Sequence, residues 1–193
     1  MRKTLFTFCT LAIALLSVSC DNDKDAEDVV PAMDLTMARN FMYHDTHETV
    51  AANYKTEDLQ TAFVTENEQL TIYLDSGTDG VSFEIEEEKL SSGYVGNYTL
   101  QTLPNPDAGD ANATFIYKTS AGSGSAYFSK ANFIYGIVKI TTYDQKHQLI
   151  SGTFQLKMDD VPDPTITLPT SNPRRCDVTV TGTFENAKLT INP

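Results

Sequence analysis

Cysteine is scarce in this sequence, which holds only three among 193 residues. Cys9 lies inside an apolar N-terminal run and Cys20 follows that run, so Cys176 is the single cysteine of everything downstream. One cysteine cannot form an internal disulfide, which excludes the small scaffolds that disulfides hold together. A chain of this length can instead bury a hydrophobic core of its own as one domain.

Long apolar runs and basic residues are also in short supply. The longest apolar run, Leu5–Leu16, has 12 residues, whereas a membrane-spanning helix needs about 20. Lysine and arginine total 14 against 26 acidic residues, which gives a formal net charge of −12. Arg2 and Lys3 precede the apolar run, and without these two bases the charge falls from −12 to −14. A domain this acidic repels nucleic acid and anionic lipid surfaces, so we expect no nucleic-acid partner.

The first twenty residues have the layout of an export signal. Two bases are followed by Leu5–Leu16, then by the short stretch Ser17–Ser19, and then by Cys20. This layout resembles a bacterial lipoprotein signal, in which the cysteine is lipidated and becomes the mature N-terminus. The resemblance implies several acyl chains on Cys20 and therefore a stable membrane anchor. The alternative is an ordinary secretory signal cleaved after Ser19, which would leave Cys20 as a free thiol.

The chain turns abruptly acidic after Cys20, with the sequence DNDKDAEDVVPA over residues 21–32. A stretch that is rich in charge and has no aromatic side chain is typical of a flexible segment. We therefore expect a signal peptide over residues 1–19, an acidic flexible tether over residues 20–32, and a single β-domain over residues 33–193.

Beyond the tether, apolar residues alternate with polar ones, which is the period of a β-strand with one buried face. Leu70–Leu74 and Val81–Ile85 alternate in this way on either side of a turn-forming stretch, Ser76–Gly80, and so predict a hairpin. The same period runs through Ile150–Met158, Cys176–Phe184 and Leu189–Ile191. Weaker strand signals cover residues 33–38, 47–54, 59–65, 96–103, 113–118, 125–129 and 136–143.

Roughly ten short strands predict an all-β fold. We favour an antiparallel β-sandwich because the loops differ so much in length, and a closed lipocalin-like β-barrel is the alternative. Only Thr56–Phe63 carries a helical signal, of one or two turns. Loops rich in Gly, Pro or Ser are predicted at 104–111, 119–125 and 159–173.

Two short stretches echo each other, Ile150–Phe154 (ISGTF) and Val180–Phe184 (VTGTF). The echo occurs once, so it does not indicate a repeat architecture. We interpret it as two strands with similar glycine bulges or close packing contacts. In both strands the phenylalanine lies on the apolar phase.

Five segments carry a resemblance to a known group of proteins: Gly96–Leu100, Gly136–Thr141, Tyr143–Asp144, Ile150–Phe154 and Val178–Phe184. These strand-and-turn motifs resemble small uncharacterised all-β lipoproteins of Bacteroidota, a family of unknown function. The resemblance supplies no catalytic residues. In that lineage, acidic residues directly after the lipidated cysteine resemble a signal for display on the outer surface. The resemblance therefore implies an outer-membrane protein exposed on the cell surface, whereas in enteric bacteria an aspartate there would suggest retention in the inner membrane.

Three clusters of polar residues could be metal or catalytic sites, but for each we expect a simpler structural role. His44 and His47 would share a face on a helix but not on a strand, so we expect a solvated loop and not a zinc site. The glutamates at 84, 86, 87 and 88 are adjacent and solvated, unlike the separated carboxyls of a glycosidase, and we interpret them as charges that guard an exposed edge. Five aspartates match no calcium-loop spacing, and we expect them to be solvated: Asp75, Asp79, Asp159, Asp160 and Asp163.

The chain has no tryptophan, so an aromatic platform for a carbohydrate would have to use tyrosine. Most aromatic residues of a β-domain serve instead in the core or in cross-strand pairs. The candidates are Tyr43, Tyr54, Tyr73, Tyr94, Tyr127, Tyr135 and Tyr143.

We expect a non-enzymatic binding or interaction role for this protein. The candidate ligands are a glycan, a small molecule or an envelope protein, and the membrane is contacted through the lipid on Cys20. We expect no catalytic residue, metal ligand or cofactor, and we expect a monomer. A structural or adhesive surface component is the alternative, and a hydrolase is least favoured. A flat unpaired sheet edge would favour assembly, whereas an exposed coplanar pair of tyrosines would favour glycan binding.

Overall fold

The computed structural model describes residues 29–119, 123–166 and 171–192. The predicted signal peptide, Cys20 and the tether up to residue 28 lie outside the described residues. The chain from Pro31 onward forms a compact unit. Within the described residues, no helix has the length and apolar character needed to cross a bilayer.

Strands dominate this unit, and the only helical pieces among the described residues are single 3₁₀ turns at Thr56–Asp58, Glu87–Lys89 and Pro106–Ala108. The described residues form twelve strands. They are β1 (Asp34–Tyr43), β2 (Thr49–Lys55), β3 (Gln60–Glu66), β4 (Gln69–Asp75), β5 (Asp79–Glu86), β6 (Gly96–Thr99), β7 (Ala111–Lys118), β8 (Gly124–Phe128), β9 (Tyr135–Asp144), β10 (Leu149–Pro162), β11 (Arg175–Lys188) and β12 (Thr190–Ile191).

The strands form two six-stranded sheets. The first has the order β2-β1-β11-β10-β9-β6, and the second has the order β12-β3-β4-β5-β7-β8. Neighbouring strands are antiparallel except β12, which runs parallel to β3. Neither sheet closes on itself, so the predicted β-sandwich is confirmed and the lipocalin-like barrel is wrong.

Each strand predicted from period-two alternation is present. The apolar phase faces inward as expected: Leu70, Ile72 and Leu74 of β4 are wholly buried. The helical signal at Thr56–Phe63 yields only the 3₁₀ turn Thr56–Asp58, and the chain enters β3 at Gln60. The extended conformation prevails because Phe63 on β3 is needed in the core between the sheets. The predicted loop at 159–173 begins later than expected, since β10 continues to Pro162, and residues 167–170 of that loop lie outside the described residues.

The echoed Gly-Thr-Phe stretches face each other across β10 and β11. Gly152 is paired with Phe184, and Gly182 with Phe154, so each glycine lies under the phenylalanine of the other stretch. A Cβ at Gly152 would lie 2.5 Å from the Phe184 ring, and one at Gly182 would lie 2.4 Å from the Phe154 ring. The close-packing interpretation of the echo is therefore confirmed.

The same two phenylalanines reach across to the second sheet. The Phe184 ring packs on Phe63 of β3 with centroids 5.4 Å apart, and the Phe154 ring packs on Phe83 of β5 at 5.2 Å. Phe63, Phe83, Phe154 and Phe184 are all buried. These four rings join the two sheets at the centre of the sandwich.

We predict that Phe184→Ala lowers the free energy of unfolding by about 3–5 kcal/mol, since it empties a buried aromatic site. That is a large part of the roughly 5–15 kcal/mol typical of a domain. The matched control is Thr153→Ala, on the exposed face of β10, which should change stability by about 0.5 kcal/mol or less. Urea denaturation of both variants measures this, and equal losses would mean that the inward face has been misassigned.

We also predict that Cys176 is chemically inert in the native protein. Its side chain is wholly buried on β11, and this burial raises the pKa of the thiol to about 12. The reactive thiolate is then almost absent at neutral pH. In a chain that starts at Asp21, Cys176 is the only thiol, so DTNB should label it in guanidinium but not under native conditions. Rapid native labelling would contradict the burial.

Candidate functional site

A cleft of about 450 Å³ is lined by both apolar and acidic side chains. It lies between the β3–β4 turn, the segment that follows β5, and the last strand, β12. Its apolar lining comes from Leu90, Tyr94 and Ile191. A volume of this size falls within the range of roughly 300–1,000 Å³ typical of small-molecule sites.

The β3–β4 turn forms one wall and is shaped by two residues. Asn67 and Glu68 both have positive φ, 50° and 61°, and they join paired residues Glu66 and Gln69. Positive φ at both central positions is the signature of the two-residue turn that matches strand twist. The backbone N–H of Glu87 donates to the Glu68 carbonyl at 2.7 Å, which fastens the post-β5 segment to the turn.

The opposite wall is held by backbone and aromatic contacts. The Asn192 N–H donates to the Thr65 carbonyl at 2.9 Å and fixes β12 beside β3. Thr65 is a lining residue, and its hydroxyl oxygen is buried without a hydrogen-bond partner among the described residues. Tyr94 has a φ of 65° and packs edge-on against Tyr143, with ring centroids 4.9 Å apart. The cleft therefore has firmly positioned walls.

Carboxylates surround this cleft. Glu66, Glu68 and Glu87 line it, and a neighbouring polar depression shares Glu68 and Glu87 and adds Glu86 and Glu88. Neither depression has a lysine or arginine in its described lining. The region is thus strongly negative around an apolar floor, which attracts cations.

The predicted edge-guarding role for the glutamate run is wrong. β5 is paired on both sides, with β4 and with β7, so it is not an edge strand. Glu84 instead accepts a hydrogen bond from the Asn112 side chain on β7 at 3.0 Å. Glu86 ends β5, and together with Glu87 and Glu88 it lines the polar depression beside the cleft. The sequence located these charges correctly but could not show which strands flank them.

The histidine pair does not act together. The His44 Nε2 lies 2.7 Å from Asp177 on β11, and its Nδ1 lies 3.4 Å from Asp160 on β10, whereas His47 lies in the turn with a φ of 58°. No described group of three or more His, Cys, Asp or Glu side chains is arranged to hold a metal ion. The pKa of Asp177 is held below its usual range, chiefly by a hydrogen bond from the amide N–H of Asp160 and to a smaller extent by the hydrogen bond with His44, although partial burial acts to raise it. This exposed network joins the β1–β2 turn to the ends of β10 and β11.

The expectation that the loop aspartates are solvated is wrong for three of the five. Asp79 is wholly buried, and it accepts hydrogen bonds from Arg39 at 3.2 Å and from the Tyr54 hydroxyl at 2.5 Å. Arg39 lies on the inward phase of β1, with its guanidinium 4.0 Å from the centre of the Phe41 ring. A carboxylate and a guanidinium so placed satisfy each other inside the sandwich.

Asp75 and Asp163 are also buried. Asp75 pairs with Lys118 and accepts the Tyr73 hydroxyl; although burial acts to raise its pKa, these hydrogen bonds hold it below its usual range. Asp163 accepts from the Tyr43 hydroxyl at 3.3 Å and from the Thr165 amide at 2.9 Å. Asp159 and Asp160 remain at the surface, where the Tyr135 hydroxyl and Arg175 donate to them. Proximity in the fold supplied these partners, and the sequence held no sign of them.

The candidate tyrosines do not form a flat platform. Tyr43 and Tyr127 are buried, and Tyr54, Tyr73 and Tyr135 donate their hydroxyls to aspartates. Tyr94 and Tyr143 do contact each other, but at an interplanar angle of 84°. Tyr94 is the one candidate that lines the cleft. Sequence reasoning missed three lining residues: Asn67, Glu68 and Leu90. For Asn67 and Glu68 the available signal was the two-residue gap between the strand patterns of β3 and β4.

Comparison with known proteins identifies no relative. No protein-family model matches the chain, and neither the curated proteins nor the solved structures include a match to it.

Proposed function

We propose that this chain is a lipid-anchored protein of a Gram-negative envelope, held by Cys20 in the outer membrane and exposed at the cell surface, whose β-domain binds a ligand without transforming it. The anchor is supported by the short apolar run before Cys20 and the acidic stretch after it. The binding role is supported by the cleft beside the β3–β4 turn.

The observation that carries the binding role is the combination of an apolar floor with a purely acidic surround. Leu90, Tyr94 and Ile191 offer contact to an aliphatic or aromatic group. The glutamates offer their charge to an ammonium or guanidinium group, and a tyrosine ring also attracts cations. The ligand class that matches both is a small organic cation.

The described lining also supports binding in preference to catalysis. It contains no histidine, cysteine, serine, lysine or arginine. A hydrolytic site needs a positioned nucleophile or a pair of carboxyls in different environments, whereas the lining glutamates Glu66, Glu68 and Glu87 are all exposed.

The anchor predicts the behaviour of Cys20→Ala in a Triton X-114 phase partition. The wild-type protein should enter the detergent phase, because several acyl chains bind membranes and micelles stably. The variant should move to the aqueous phase. A variant that still enters the detergent phase would contradict the anchor but would leave the cleft proposal standing.

The cleft predicts that benzylammonium binds and that benzoate, of similar size and opposite charge, does not. Titration of the detergent-purified full chain by calorimetry measures both. Glu68→Gln should weaken benzylammonium binding roughly fivefold, the equivalent of about 1 kcal/mol for one nearby charge. Glu57→Gln makes the same charge change at a 3₁₀ turn outside the cleft lining and should leave binding unchanged. Equal affinities for the two probes, or equal effects of the two variants, would overturn the binding role of the cleft.

A further inference from the structure

The four sheet edges of the sandwich differ greatly in length. The edge strand β12 has 2 residues, β6 has 4 and β8 has 5, whereas β2 has 7. β2 pairs with β1 without a register shift, and it contains neither proline nor glycine. Edge strands usually carry a bulge, a proline or a charge that prevents pairing with another chain. The one charge of β2 is Lys55 at its last position, and Thr49–Tyr54 carries none of these features.

The hydrogen-bond phase of β2 identifies its free backbone groups. The Tyr43 N–H donates to the Glu48 carbonyl at 2.9 Å. Hydrogen-bonded pairs recur at every second position along two antiparallel strands, so Phe41 with Val50 and Arg39 with Ala52 are also hydrogen-bonded pairs. The intervening residues Thr49, Ala51 and Asn53 therefore direct their N–H and C=O groups away from the sheet. Among the described residues, none of these groups has a hydrogen-bond partner.

Both ends of this free segment are already closed. At one end the Lys55 N–H is accepted by the Asp58 side chain at 3.0 Å. At the other end the chain turns back into β1 through the His47 N–H bond to the Tyr43 carbonyl. The free segment is thus three outward residues long, and Ala51 is its centre.

We propose that two copies of this chain pair antiparallel through β2, about a two-fold axis at Ala51. Ala51 then lies opposite its own copy, and Thr49 lies opposite Asn53. This register pairs every free N–H of one copy with a free C=O of the other. The proposal departs from the monomer expected from the sequence, and it does not depend on the cleft.

Charge complementarity selects a second copy as the occupant. The chain is acidic as a whole, so two copies repel each other over most of their surfaces. Thr49–Tyr54 has no charged side chain, so two copies can meet there without opposing carboxylates. In this register Lys55 of one copy lies opposite His47 of the other and beside Glu48. The Glu48 carboxylate is 3.9 Å from Arg174 of its own chain but is 71% exposed, so it can also face Lys55 of the other copy. Because of the two-fold symmetry, Lys55 of each copy lies beside Glu48 of the other copy, so this contact occurs twice.

The inner face of β2 leaves room for the second copy. Val50 lies on that face, in phase with Tyr54, whose hydroxyl reaches the buried Asp79, yet Val50 is 47% exposed. The second sheet therefore stops short of β2. In the paired state Val50 lies opposite Ala52 of the other copy, which removes apolar surface from water.

Disulfide trapping tests this register in the full lipoprotein, purified in detergent and oxidised with copper phenanthroline. Ala51→Cys should give a covalent dimer, because residues facing each other in such a pair have Cα atoms about 5.5 Å apart, within disulfide range. The control is Asn53→Cys, whose two copies would lie about 14 Å apart and should not cross-link. Cys176 is buried, and a lipidated Cys20 has no free thiol, so neither should cross-link; the unsubstituted protein run in parallel checks this.

A second variant separates pairing from random collision. Asn53→Pro in the Ala51→Cys background removes one outward N–H, and an edge strand tolerates proline where its N–H faces solvent. The cross-linked fraction should fall about fivefold or more, with an unchanged melting temperature. Failure of Ala51→Cys to cross-link, equal cross-linking of Asn53→Cys, or no effect of the proline would each overturn the proposal, whatever the result for benzylammonium.

Discussion

The structure depends on the reciprocal contact between two glycines and two phenylalanines on β10 and β11. Each glycine lacks the Cβ that would collide with the phenylalanine ring of the neighbouring strand. The two strands can therefore pair while both rings point into the core. Phe154 and Phe184 then contact Phe83 and Phe63 of the second sheet. Strand pairing and sheet packing are therefore fixed by the same four residues, and the surrounding aliphatic side chains fill the space that they define.

A second constraint is polar and acts at the corner where β1, β2 and the β4–β5 hairpin meet. Arg39 occupies an inward position that the strand pattern would assign to an apolar residue. Asp79 accepts a hydrogen bond from Arg39, and the Tyr54 hydroxyl donates to the same carboxylate. A buried ion pair of this kind adds little net stability, but removal of one partner costs about 3–5 kcal/mol because the other charge is left buried. Its main effect is to fix the position of the hairpin relative to β1 and β2.

The two surfaces that we propose as functional are places where the sandwich is incomplete. The cleft exists because the β3–β4 turn, the post-β5 segment and β12 meet without filling the space between them. The β2 edge is open because the first sheet extends past the second. We propose that the first surface binds a small cation and that the second pairs with a strand of another copy. The proposed lipid anchor would confine copies to one membrane and so raise the effective concentration for that pairing.

The sequence by itself determined the fold class, the strands and the inward faces. Period-two alternation reports which residues of a strand share a face, and it therefore predicted β4, β5, β10 and β11 and the burial of Cys176. It also determined the predictions that lie outside the described residues, above all lipidation of Cys20. The tertiary structure alone decided the order of strands in the sheets, the partners of Asp75, Asp79 and Asp163, and the position of Glu86–Glu88 beside an apolar cleft. These properties join residues far apart in the chain, such as Arg39 and Asp79, and a local pattern contains no information about which distant strands become neighbours.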